Sequence, residues 1–268
     1  MQMKKSLSAQ ELYLKSVRHT NYKILFWRIS LCLIFIISWE LCARCGIIDS
    51  FIFSSPSKLI RCLNSMLFEQ HLLEHIGITL FETIVSFFLV IAVSLVFAVL
   101  LWKSRTLSKI LEPYMVTLNS LPKSALAPLL IVWLGASYKT IILTGMSVAV
   151  FGSIMSLYTG FMEVDPEKIK LIYTLNGTGS DALYKVILPA NIPNLLSIMK
   201  VNIGLCLVGV IIGEFIAARQ GLGYLIIYGS QVFKMDWVIL SILILCIIAM
   251  GLYLLLDLFE KIYKKNTQ

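Results

Sequence analysis

The sequence predicts an all-α, polytopic membrane protein with six transmembrane helices and both termini on the cytoplasmic side. Three observations predict it. The 268 residues are 58% hydrophobic and only 14% charged, where a soluble chain carries about 25% charge, and mean hydropathy is +0.86. Apolar runs recur at the length a helix needs to cross a bilayer, about 20 residues at roughly 1.5 Å each, with every backbone polar group satisfied internally. The Lys and Arg residues are distributed unevenly between alternate loops, as they are when cations are retained on the cytoplasmic side. A soluble enzyme, a disordered tail and a coiled coil are excluded together. The net charge of +8 then records topology, and no nucleic-acid partner is expected.

The first span, Leu25–Ala43, carries Arg28 and Glu40 near its ends and follows a polar, basic tail (1–24). Its apolar run closes on Trp39-Glu40 without a small-residue cleavage site, so no removable signal peptide is expected. Thr83–Trp102, Thr140–Met162 and Trp237–Leu256 contain no charge. Leu111–Leu134 holds Glu112 and Lys123, with Pro122 and Pro128 expected to loosen the helix and free its carbonyls toward a protein-lined or wet interior. Pro193–Ala217 holds Lys200 and Glu214. Six spans put both termini on one side. That side collects sixteen of the 23 Lys and Arg residues, from Lys4, Lys5, Lys15, Arg18 and Lys23 at one end to Lys261, Lys264 and Lys265 at the other. The opposite side has six, and Lys123 stands within a span.

The longest cytoplasmic loop, 163–192, has structure of its own. Val164-Asp165-Pro166 reads as a helix start, Asp165 as N-cap and Pro166 in the first turn. Asn176-Gly177 ends that helix, because both residues accept left-handed backbone. Thr178 or Ser180 caps a second short helix running through Leu183 and Val186 to Leu188-Pro189. Helix, tight turn, helix beneath the membrane makes a docking surface. Leu171, Ile172 and Leu175 are expected on one side of it, to be buried in a partner.

This loop resembles the cytoplasmic signature of the permease subunits of bacterial ABC importers, E-A-A-x3-G-x9-I-x-L-P. Leu188-Pro189 and Val186 fall in place, Asn176 stands where the family has Gly, and Lys170-Leu171-Ile172 stands where it has E-A-A. Further matches are similar to the nitrate, sulfonate and taurine branch. They are Trp39-Glu40-Leu41, Ser54-Ser55-Pro56-Ser57, His75-Ile76 with Thr79-Leu80, Leu121-Pro122-Lys123-Ser124-Ala125, Trp133-Leu134-Gly135, Gly213-Glu214 and Gly221-Leu222-Gly223. Glu82 stands where that branch has an Arg.

The resemblance implies a type I importer permease fold over 1–268, with six helices across 25–256 and a C-terminal tail, 257–268. It implies a chain that is half of a transmembrane dimer, most simply a homodimer in a bacterial inner membrane, and receives a small solute from an extracytoplasmic binding protein. ATP-binding subunits drive it through Lys170, Leu171, Ile172, Leu175, Asn176, Gly177, Val186, Leu188 and Pro189. No G-x-x-x-x-G-K-[ST] occurs in the chain, so ATP is expected to be hydrolysed by other subunits. No catalytic residue, metal or cofactor is expected. The alternative class is a secondary transporter or channel that needs no ATPase.

Glu214 lies fourteen residues beyond Lys200, about 21 Å along a helix, which puts it near the outer end of the span if Lys200 snorkels to the cytoplasmic surface. Glu214 and Lys123 are the two candidates for the translocation path, each weighed against a structural role. His71-Leu72-Leu73-Glu74-His75 satisfies the H-x-x-E-H pattern of some zinc peptidases, but it opens a transmembrane span and is read as part of the permease pattern. Cys42-Ala43-Arg44-Cys45 is read as two small side chains ending a helix, with a disulfide open to it in an oxidising compartment. Gly221-Leu222-Gly223 is expected to make a tight return into the sixth span.

Overall fold

Several breaks between helices fall where proline, glycine or a capping side chain interrupts the chain, as at Pro122, Gly135 and Ser104. In the computed structural model, which describes residues 9–267, every regular element is helical. Lys4 and Lys5 of the N-terminal tail lie outside the described residues, as do the side chains of Lys15 and Arg18. Five helices are long and apolar enough to span a bilayer, and a bent pair makes up to a sixth.

The chain forms two units, one ending at Asn64 and one starting at Ser65. The first contains α1 (Ala9–Arg44) and the start of α2 (Pro56–Glu69). The tail expected before the span is helical from Ala9 and continuous with it. The apolar stretch of α1 leaves Phe26, Trp27, Leu31 and Ile34 exposed, a surface that is costly in water and suits a hydrocarbon surrounding. At its end Glu40 holds Arg44 at 2.6 Å and accepts from the Ser57 N–H (3.1 Å) and hydroxyl (2.8 Å). A carboxylate on the first-turn Ser57 N–H of α2 satisfies a donor that the helix itself leaves free. The Glu40 and Ser57 motifs, separate in sequence, are therefore one structure.

The second unit contains α3 (Leu72–Lys103), α4 (Arg105–Ser120), α5 (Lys123–Leu134), α6 (Tyr138–Met162), α7 (Pro166–Thr174), α8 (Gly179–Ala182), α9 (Leu188–Ala217), α10 (Leu222–Gln231) and α11 (Met235–Thr267). Its core lies among α3, α6 and α9, where Phe87, Val90, Ala149, Ile154, Ile203 and Cys206 are buried together. Small residues let two helices approach closely. A Cβ on Gly209 of α9 would lie 2.8 Å from the Gly145 Cα and 3.0 Å from the Thr144 carbonyl of α6.

Three sequence expectations are corrected here. The third span is not one helix: α4 and α5 meet at a 96° bend. Leu121, preceding Pro122, is driven to extended backbone (ψ 141), since a following proline disfavours the α region. Pro113 and Pro128 sit inside their helices without ending them. The second loop helix does not stop at Leu188-Pro189; helical backbone continues from Gly179 through a π-helical turn, Leu183–Ile187, into α9. The widened turn places the Leu188 N–H on the Leu183 carbonyl and accommodates a proline at position 189 that an α-turn would reject. Finally, Gly221-Leu222-Gly223 opens a ten-residue helix, α10, rather than a tight return.

The last helix outruns its expected end at Leu256, and this gives Lys200 partners. Its amine pairs with Asp257 at 3.4 Å and with Glu260, both on α11.

Candidate functional site

The loop between α6 and α9 is built by its caps. The Asp165 carboxylate accepts the Glu167 N–H at 2.9 Å at the start of α7, and Pro166 occupies the first turn. At the other end Asn176 is left-handed (φ 58), the Asn176 N–H donates to the Tyr173 carbonyl and the Gly177 N–H to that of Ile172. These two bonds are the Schellman closure, so Asn176 does take the conformation for which glycine is the usual choice. Thr178 and Asp181 then cap α8 reciprocally.

The loop is anchored from beneath, and its free side carries large apolar side chains among charged ones. Ala182, Leu183 and Ile187 are buried against Ala98, Leu157 and Phe161, with Ile169 and Leu188 packed on the same cluster. Leu171 is 59% and Leu175 72% exposed, with Tyr173 and Tyr184 exposed beside them. Ile172 does not share their side. It is half-buried, and its side chain lies where a Cβ on Gly177 would otherwise be, because it stands about 100° around the helix from Leu171. Lys170, Asn176 and Pro189 are exposed, Val186 half-buried. Leu183 was named from sequence as part of the second loop helix, but the anchoring role it shares with Ile169 and Ile187 was not, although the i, i+4 spacing of Leu183 and Ile187 was a usable signal.

At the far end of α9 the polarity is inverted. Glu214 is 1% exposed, accepting the Thr79 hydroxyl of α3 at 2.7 Å and the Gly223 N–H of α10 at 2.5 Å. The Tyr224 N–H is also directed at its carboxyl group. The Leu222 N–H donates to Thr79 Oγ1 at 2.9 Å and the Gly221 N–H to His75 Nδ1 at 2.9 Å. The opening N–H groups of α10, which no helix satisfies for itself, are thus all taken by side chains of α3 and α9, with a carboxyl group at the positive end of the helix. Gly221 (φ +110) has no space for a side chain against Glu214. Four of the sequence matches, around His75, Thr79, Glu214 and Gly221–Gly223, form this one cluster.

Glu82 completes the cluster from below. It is 2% exposed, within hydrogen-bonding reach of Glu214, and its Oε2 has no partner. Glu74 of the H-x-x-E-H run accepts from Gln220 Nε2 at 3.1 Å. Both side chains named for the path are engaged by protein: Glu214 as above, and Lys123 through the Asn119 carbonyl at 2.7 Å, closing the end of α4. The Cys42 and Cys45 thiols are free.

A multi-helix membrane subunit with a capped, anchored loop and an apolar free face has the architecture of an ABC importer permease. The chain belongs to the family described as the binding-protein-dependent transport system inner membrane component, whose model matches residues 90–267. A probable ABC transporter permease protein of Haemophilus influenzae is 29% identical over 219 residues, 82% of this chain and 89% of that one. The putative aliphatic sulfonates transport permease SsuC of Bacillus subtilis is 23% identical, covering 78% and 76%, and the taurine transport permease TauC of Escherichia coli 25%, covering 66% and 64%. Among solved structures, the fold is similar to that of a chain of the inward-facing MetNI methionine ABC transporter, with a TM-score of 0.65 at 19% identity over 72% of this chain and 96% of that one. It is also similar to a chain of an amino acid ABC transporter, at 0.59 and 18% over 74% and 97%.

Proposed function

We propose that this chain, acting over 1–268 as a single permease domain, forms the membrane pathway of an ATP-driven importer in a bacterial inner membrane. Partner ATPases work it through the cytoplasmic loop 163–192, a second permease copy completes the pathway, and an extracytoplasmic binding protein delivers a small solute of the sulfonate, taurine or vitamin-precursor kind. The names of the relatives support the solute class, and the absence of a phosphate-binding loop supports separate ATPase chains.

One observation carries the coupling role: Leu171 and Leu175 stand exposed on a helix whose own base is fixed by Ile169, Leu183 and Ile187. Burying each in a groove contributes about 1.5–3 kcal/mol before association costs. Lys170, Asn176 and Gly177 stand in that helix and its closing turn, and Val186, Leu188 and Pro189 lie where the helix after the turn runs into α9, so force on the leucines passes to α9 through the turn and the packed anchors.

Leu171→Asp is expected to insert and fold normally yet weaken co-purification with the ATPase subunit by at least about tenfold, the equivalent of 1.4 kcal/mol. Unchanged co-purification and uptake would overturn the coupling role. Solute movement in vesicles holding this chain alone, without nucleotide, would favour a secondary transporter.

A further inference from the structure

α6 and α9 share a hollow of about 250 Å³ whose polar lining is Ser153, Ser156, Ser197 and Asn202, with no charged residue. The small side chains alone would suit close helix packing. Asn202 argues otherwise. It is 3% exposed; its Oδ1 lies 2.9 Å from the Ser153 hydroxyl, but its Nδ2 has no hydrogen-bond partner. Ser153 also has the Ala149 carbonyl at 2.7 Å, so its one hydroxyl proton is shared between that carbonyl and Asn202 Oδ1, and the Nδ2 donors have no acceptor.

An unpaired amide turned toward hydrocarbon costs several kcal/mol, so this hollow does not face lipid tails. Asn202 is fifteen residues from the outer end of α9 and Ser153 nine from the loop end of α6. At about 1.5 Å per residue both lie in the loop-side half of the hydrocarbon.

We propose that the hollow is a stretch of the solute pathway, and that the Asn202 amide donates to acceptor oxygens of the passing solute, as a sulfonate, carboxylate or carbonyl group presents them. This rests on the permease reading given above. The absence of any charge in the lining suits transit: neutral donors hold an oxyanion weakly enough for it to leave, and no carboxylate is present to favour a cation.

The test uses the full chain in native membrane vesicles, its six cysteines replaced, with one new cysteine at a time. Ser156→Cys on α6 and Ser197→Cys on α9 are expected to react with water-soluble methanethiosulfonates at least tenfold faster than Val208→Cys, an exposed position of α9 outside the hollow. Equally slow reaction at all three places the hollow against lipid or a sealed seam and overturns the proposal. Adding Asn202→Leu to Ser156→Cys is expected to slow the sulfonate-bearing reagent at least threefold and leave the trimethylammonium-bearing one within twofold. Equal effects on both, or none on either, would remove the donor role. No ATPase enters these measurements, so a failure here is separate from a failure of the coupling reading, which co-purification decides.

Discussion

The two ends of α9 are built on opposite principles. Where it ends, at Glu214, polar groups are turned inward and matched, so that carboxyl, hydroxyl and imidazole close the open N–H groups of α10. Where it begins, in the loop, backbone groups are closed locally by caps and large apolar side chains are turned outward. An end that satisfies its own groups is complete in this chain; an end that leaves Leu171 and Leu175 exposed is the one for which the proposed coupling role supplies a cover. The contrast separates residues that hold the subunit together from residues that the proposed coupling role sets against a partner, and each class is expected to fail differently.

The sharpest break is at Glu214. Glu214→Ala removes the acceptor from the Thr79 hydroxyl and the Gly223 N–H in a buried site, at about 1–3 kcal/mol for each group left unpaired, a total on the order of 2–6 kcal/mol. The purified protein is expected to lose that much stability in thermal unfolding, with α10 exchanging its amide hydrogens first. Glu214→Gln keeps an acceptor oxygen and is expected to lose about 1 kcal/mol. Equal stability of the Ala variant and the parent would show that the cluster is ornamental. Leu171→Asp, by contrast, is expected to leave stability within about 0.5 kcal/mol, as surface substitutions do, while weakening the proposed ATPase contact.

Glu82 sharpens the same comparison. Glu82 is buried beside a second carboxyl group, that of Glu214, and leaves its Oε2 unpaired. Gln at position 82 carries its own N–H donors. Glu82→Gln is therefore expected to stabilise the protein by about 1 kcal/mol, read in the same unfolding experiment, and a loss of stability would show that the second carboxyl group is required.

Much of this was legible because helices announce their ends locally. Asp165, Pro166, Asn176 and Thr178 act within a few residues, and the structure uses them as the chain order suggests. The long-range partners were not legible. Nothing in the order of residues says that Glu40 meets Ser57, that Lys200 meets Asp257 and Glu260, or that Thr79 meets Glu214, 135 residues away. Proline was read with the wrong local consequence. Pro122 ends a helix because the residue before it turns extended, whereas Pro189 passes through because the π-turn ahead of it absorbs the strain. Periodicity gave an apolar face to α7 but not its partition, since Ile172 folds over Gly177 only once the Schellman turn has formed.

That turn gives the smallest and most local effect. Asn176 is the one position of the loop where the chain departs from glycine and still needs φ near +58. Asn tolerates the left-handed region and a β-branched residue does not, so Asn176→Val is expected to cost about 1–2 kcal/mol. Asn176→Gly is expected to be neutral or to gain at most about 1 kcal/mol. Because α7 is a nine-residue helix held between two caps, the loss falls on the loop before it reaches the core. Hydrogen exchange at the Asn176 and Gly177 amides, which close the turn onto Tyr173 and Ile172, accelerates in the Val variant while exchange in α6 and α9 stays unchanged. Acceleration spreading into α9 would mean that the loop and the membrane helix open as one unit, and the distinction between the two ends of α9 would then be one of surface chemistry rather than of independent stability.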